Sequence, residues 1–246
     1  MDFKLEICVD SVESAVIAQE AGADRLEICC ALAEGGLTPG YGLIRSVIDN
    51  SSIPVHVLIR PRGGDFLYTD NEFEIMRKDI EICGECGVHG VVFGLLDADG
   101  SIDVERSALL VEFAKPMSVT FHRAFDVCSD PLQALKDIID AGADRLLTSG
   151  QKSTAYEGAG LIRKLLERAA EKIIIMPGGG INESNIEEIA KITGAKEFHL
   201  SARILTESGM KFRNEEILKT ISGGGYSRKI ASRDMILAVA GLLKKI

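Results

Sequence analysis

Ala21-Gly22-Ala23-Asp24-Arg25-Leu26-Glu27-Ile28 returns almost intact as Ala141-Gly142-Ala143-Asp144-Arg145-Leu146-Leu147-Thr148. Two weaker copies are Cys86-Gly87-Val88-His89-Gly90-Val91-Val92-Phe93 and Thr193-Gly194-Ala195-Lys196-Glu197-Phe198-His199-Leu200. In each copy a helical pattern closes on glycine, the residue that ends helices at least conformational cost, and a β-favouring run follows. The four glycines are separated by 65, 55 and 52 residues. A parallel β–α–β unit occupies about 30 residues, so each interval holds two of them. Four pairs of strands make eight.

Working outward from the repeat, strands are predicted near residues 5–9, 25–30, 55–60, 90–95, 118–122, 145–148, 172–176 and 197–200. Helical patterns lie between them. The first is capped by Asp10 or Ser11, and the one after strand 5 by Asp130 with Pro131 at its first position. Nearly continuous apolar strands alternating with helices mean a parallel sheet covered on both faces. Eight such units in 246 residues mean an α/β fold with a single (β/α)8 TIM-type barrel, a domain of about 250 residues. Residues 1–246 are therefore read as one barrel domain. Residues 203–232 break the rhythm as an extra segment between strand 8 and a last helix at 234–245. Its Ser222-Gly223-Gly224-Gly225-Tyr226 reads as a flexible loop, and the segment as either a surface excursion or a lid over the barrel mouth.

Composition narrows the function. A net charge of −9, from 37 acidic and 28 basic side chains, argues against nucleic-acid and anionic-membrane surfaces, which need clustered Lys and Arg. No apolar run approaches the ~20 residues of a transmembrane helix, and the N-terminus enters a strand pattern without a signal-like segment. The expected compartment is the cytoplasm, where six sparse cysteines stay reduced. Cys83 and Cys86 form C-x-x-C inside a helical pattern with no second ligand pair, and read as helix-packing residues.

Chemistry gathers where strands run from apolar into polar residues, because the loops after barrel strands carry the site. Ser118-Val119-Thr120-Phe121-His122-Arg123-Ala124-Phe125-Asp126 is the clearest case. His122 is a candidate acid–base group whose tautomer a carboxylate such as Asp126 could fix, and His199 stands at the equivalent end of strand 8. His56 and His89 are read as structural. In strands 1 and 2, Glu6 and Cys8 share one face, as do Glu27 and Cys29. Two carboxylates and two thiols could therefore meet. Cys8 and Cys29 read either as small core side chains or as a dithiolate site for Cu(I). The glutamates need partners, since an unpaired buried carboxylate costs several kcal/mol. Arg60 and Arg62 could pair with them or clamp an anionic ligand. Around these, Asp65, Arg123, Ser149, Gln151, Gly179, Gly180 and Ser201 are candidate anion-binding residues. The Gly178-Gly179-Gly180 run is either a backbone cradle for an anion or a tight turn. No nucleotide fingerprint occurs, so no nucleotide cofactor is expected.

Leu32-Ala33-Glu34-Gly35-Gly36-Leu37-Thr38-Pro39, Ile59-Arg60-Pro61-Arg62-Gly63-Gly64-Asp65-Phe66, Thr120-Phe121-His122-Arg123-Ala124-Phe125-Asp126, Leu147-Thr148-Ser149-Gly150-Gln151 and Met176-Pro177-Gly178-Gly179-Gly180-Ile181 together resemble the CutC family. The resemblance runs through residues 5–201 in family order. It implies a cytosolic β/α barrel named for copper homeostasis, with copper ligands falling on Cys8 and Cys29, and puts Cu(I) ahead of the core reading. The other reading is an enzyme acting on a small phosphorylated or carboxylated metabolite. There Glu27, His122, Asp126 and His199 would do acid–base chemistry while the arginines and glycine loops hold the anion. A non-catalytic binder using the same pocket is a third option. The family assigns no reaction, and a homo-oligomer is compatible with all three readings.

Overall fold

The computed structural model describes residues 3–218 and 225–246. Eight parallel strands, β1 (Lys4–Val9), β2 (Arg25–Ile28), β3 (Val55–Leu58), β4 (Gly90–Phe93), β5 (Ser118–Phe121), β6 (Arg145–Thr148), β7 (Ile174–Pro177) and β8 (Glu197–Leu200), form the ring. Between them run α1 (Val12–Glu20), α2 (Tyr41–Asn50), α3 (Asp70–Glu85), α4 (Val104–Ala114), α5 (Pro131–Asp140), α6 (Ala159–Ala169) and α7 (Ile186–Thr193). Strands pair in chain order, β1 also pairs with β8, and a parallel bridge between Gly178 and His199 joins β7 to β8. The expected barrel is the observed one.

The repeat acts at the strand entrances. Gly22 and Gly142 end helices at φ +94° and +90°, a region that strains other residues. The aspartate two residues on then ties one strand to the next. Asp24 Oδ2 accepts the Leu5 N–H and the Asp24 N–H donates to the Leu5 carbonyl, both at 2.8 Å. Asp144 does the same to Val119, at 2.8 and 2.9 Å.

Ser11, Thr69, Asp103 and Asp130 cap the helices that follow them, each side chain accepting a first-turn N–H. Alternation along the strands sorts residues into two sets. Ile7, Leu26, Val57, Phe93, Phe121 and Phe198 are among those packed in the hydrophobic layer, where each buried side chain contributes about 1.5–3 kcal/mol. Glu6, Cys8, Arg25, Glu27, His56, Arg145, Glu197 and His199 belong to the other set. Strands 2–5 end one or two residues earlier than their apolar patterns suggest. Buried Cys29, Ile59 and Leu95 continue the pattern beyond the regular pairing, as the chain turns into the mouth.

The segment after β8 forms an antiparallel hairpin, β9 (Arg203–Glu207) and β10 (Ser227–Ala231), with a short helix, α8 (Glu215–Leu218), between its strands and α9 (Arg233–Leu243) after it. Ser232 N donates to Ala202 O at 2.7 Å, Ala231 N donates to Ser14 Oγ at 3.1 Å, and Arg228 pairs with Glu13 at 2.6 Å. The hairpin thus stands against α1, beside the mouth. Residues 222–224 of the expected glycine loop lie outside the described residues. Among the described residues no helix is long and apolar enough to cross a membrane.

Candidate functional site at the barrel mouth

The lower interior is a closed ionic network. Arg25 donates from Nε to Glu6 Oε2, and from Nη2 to Glu197 Oε2 at 2.8 Å. Arg145 Nε donates to the same Glu197 oxygen at 2.7 Å and its Nη1 to Thr120 Oγ1 at 3.3 Å. Glu6 Oε1 meets His199 Nδ1 at 2.7 Å. Burial resists the Glu6 charge, yet His199 and Arg25 together hold its carboxyl well below the usual range. Burial likewise opposes ionisation of Glu197, and Arg145 and Arg25 outweigh it. Of the two roles open to Arg60 and Arg62, pairing with the barrel glutamates is not the one observed. The partners are Arg25 and Arg145, the arginines of the repeat itself.

Above this network a cavity of about 230 Å³ opens, lined by Cys8, Glu27, Leu32, Gly35, Leu58, Arg60, Phe66, His122, Arg123, Leu147, Gly179, His199, Ser201 and Arg203. Parallel pairing sets Cys8 beside Glu27 and brings the Cys8 and Cys29 sulfurs to 3.5 Å. Leu58 and Val92 complete the apolar surroundings of both thiols. A Cys8 sulfur, a Glu27 oxygen and a His199 nitrogen all lie within 4.8 Å of one another. Contact with Cys29, then burial, pushes the Cys8 thiol well up. Burial raises the Glu27 carboxyl. At His199 burial disfavours the imidazolium, but Glu27, Cys8 and Glu6 together raise it well above the ordinary histidine value.

His122 forms the opposite wall. Its Nδ1 accepts the Ala124 N–H at 3.2 Å, so the ring proton sits on Nε2, a buried atom with no partner. That backbone donor, and not Asp126, fixes the tautomer. Burial and the Arg60 charge push His122 down to about 3, leaving it neutral. A Cβ at Gly94 would fall 2.6 Å from His122 Nδ1, and one at Gly90 would fall 2.5 Å from His56 Nε2. Glycine at the start of β4 and just past its end makes room for the two imidazoles.

The remaining candidates divide. Asp126 is a hub: it accepts from Thr148 Oγ1 at 2.5 Å, from Ser149 N and Gln151 N, and from Ser149 Oγ and Arg123 Nε at 2.9 and 2.7 Å. Ser149 and Gln151 therefore spend these donors on Asp126, and the Gln151 amide caps Cys128 O at 2.8 Å. Gly180 faces Thr154, 2.9 Å from an added Cβ. Arg62 turns outward to Glu72 at 2.6 Å and Asp65 at 3.0 Å, so neither Arg62 nor Asp65 lines the cavity. Arg60 stays at the rim over Phe66, its Nη atoms on the carbonyls of Glu34, Gly36 and Gly64. Cys83 is buried in the helix layer and pushed up to about 12 by burial. Sequence reasoning missed Arg203, a side chain only 18% exposed with its Nε unpartnered.

Eight parallel strands in a ring, alternating with helices, define a (β/α)8-barrel protein, with thiol, imidazole and carboxylate groups gathered at its mouth. The chain belongs to the CutC family, which matches residues 3–204. It is 47% identical over 99% of its length to the human copper homeostasis protein cutC homolog, covering 90% of that protein. It is 54% identical to a CutC family protein of Parabacteroides distasonis, over 87% of this chain and 88% of that one. A CutC structure from Streptococcus agalactiae superposes with a TM-score of 0.76 at 34% identity, over 80% of this chain and 97% of that one.

Proposed function

We propose that the protein serves copper homeostasis by holding Cu(I) at the barrel mouth, with Cys8 and Cys29 as thiolate ligands and His199 as a third donor. The observation that carries this reading is the 3.5 Å approach of two sulfurs from neighbouring strands, beside a histidine whose Nδ1 is already engaged by Glu6. A ligating histidine steadied through its other nitrogen by a carboxylate is the usual support for a metal ligand. It leaves Nε2 for the ion. Soft sulfur donors select Cu(I) over the hard cations that carboxylates prefer, so Glu27 supplies charge and not selectivity. All six cysteines are free thiols, which suits the cytoplasm, where they stay reduced.

The test is an anaerobic Cu(I) competition titration against a high-affinity chelator. Wild type is expected to bind stoichiometrically. The Cys8→Ser/Cys29→Ser double variant should lose that binding, while His122→Gln keeps it. Undiminished affinity in the double variant would overturn the dithiolate site.

A second reading is favoured by a separate observation. Glu27 Oε2, Arg60 Nε, His122 Nε2 and Arg203 Nε are buried without partners, and their residues line the same cavity. Donors from two guanidiniums and an imidazole suit the oxygens of a small anion, and a carboxyl raised by burial suits proton transfer. Under this reading the mouth performs acid–base chemistry on a small phosphorylated or carboxylated metabolite. Screening such compounds for thermal stabilisation tests it: a hit should be lost in both Glu27→Gln and His122→Gln.

A further inference from the structure

A second cavity of about 670 Å³ lies under the hairpin, with Asp10, Leu32, Arg203, Leu205, Arg228 and Lys229 in its lining. Leu32 and Arg203 also line the mouth cavity, so the two spaces adjoin across one leucine and one arginine. The hairpin cleft carries three cations. Arg203 comes no closer than 3.5 Å to Asp10, beyond good hydrogen-bond length, and its Nε is bare. Arg228 is paired with Glu13 at 57% side-chain exposure, where such a pair is readily exchanged. Lys229 is exposed and is in no ion pair among the described residues.

The loop alternative is closed on its β6 side. After β6, Asp126 takes the Ser149 and Gln151 N–H groups. After β7, Gly178 N donates to Thr148 O at 2.9 Å, and Thr154 crowds the Gly180 side, 2.9 Å from an added Cβ. Guanidiniums with free donors are the strongest anion receptors left on this face of the barrel.

We propose that the cleft beneath the β9–β10 hairpin is a phosphate subsite, formed by Arg203, Arg228 and Lys229, for a phosphorylated metabolite whose other end reaches into the barrel mouth. This rests on the small-anion reading of the mouth and adds to it where the phosphate docks. Leu32 and Leu205 give the short organic body an apolar floor, and Arg203 spans both ends. Asp10 opposes the anion, so binding moves Arg203 fully onto phosphate.

The experiment titrates inorganic phosphate into the full-length protein at constant ionic strength, following the 31P signal, for wild type, Arg228→Ala/Lys229→Ala and His122→Gln. The hairpin variant removes two exposed side chains and one surface ion pair, worth about 0–1 kcal/mol, so the fold survives. A Kd raised about tenfold or more in the hairpin variant is expected, as for the loss of a charged hydrogen bond. Arg203→Lys, which keeps the charge and loses the fork, should fall between. An unchanged Kd in the hairpin variant overturns the subsite. If His122→Gln then weakens phosphate instead, the anion sits in the mouth and only the subsite falls. Absence of saturable phosphate binding to wild type removes the subsite, and an organic-metabolite screen without hits removes the mouth reading as well.

Discussion

The lower and upper storeys of this barrel interior are built from the same residue types and treat them oppositely. Below, Glu6, Arg25, Glu197 and Arg145 close on one another and leave no buried side-chain polar atom without a partner. Above, Glu27, Arg60, His122 and Arg203 each keep a buried polar atom without a protein partner. An unmade buried hydrogen bond costs about 1–3 kcal/mol. The lower storey avoids that cost, whereas the upper one carries it several times over within one cavity. Stability explains the first arrangement. The second is the observation behind the proposed anion site, and His56, the unpaired group lower down, is simply kept neutral, its pKa pushed down to about 4 by burial.

The comparison can be broken most directly at Arg25. Arg25→Met leaves Glu6 with His199 alone and Glu197 with Arg145 alone, and is expected to cost about 3–5 kcal/mol in urea unfolding. A loss under about 1 kcal/mol would mean that the network is not the structural half. Gly94→Ala is expected to cost about 1–3 kcal/mol by overpacking His122, measured as a fall in thermal midpoint. Full stability there would deny that the chain after β4 needs glycine for the imidazole.

Acid sharpens the same contrast. His122, at about 3 when folded, takes up its proton near 6.5 when unfolded. Its depressed value means the unfolded state binds the proton first. The stability it contributes is therefore complete above about pH 6.5 and is lost as pH falls toward 3, with a slope of up to about 1.4 kcal/mol per pH unit. His122→Gln should flatten the stability profile between roughly pH 6.5 and 4.5 by that amount; parallel profiles would contradict a neutral buried ring. The smallest effect is reserved for Arg62→Ala, within about 1 kcal/mol and silent in Cu(I) and phosphate titrations. A change in either titration would return Arg62 to the site.

The barrel was legible because its period is written in glycine and aspartate, residues whose roles at helix ends and strand entrances are local. The pairing of Cys8 with Cys29 was legible too, since two-residue alternation on adjacent strands suffices to place them. Arg25 and Arg145 stood in the quoted repeat yet passed as helix-to-strand punctuation. Their convergence on Glu197 depends on ring closure between β1 and β8, which joins residues 172 and 52 positions apart. Arg62 misled because its side chain turns away from the cavity, toward Glu72 on α3. Gly90 on β4 and Gly94 just beyond it were a readable signal for bulky neighbours on the flanking strands, His56 on one side and His122 on the other.

The bridge between Gly178 and His199 has a mechanical consequence. Other neighbouring strands share ladders of pairs, while β7 and β8 meet at this isolated one. The ring is thus a ribbon with one sparse seam, and the third proposed copper donor is a residue of that seam. Whatever grips the His199 side chain also clasps the ribbon shut, so occupancy of the mouth and amide-exchange protection along β7 and β8 should rise together.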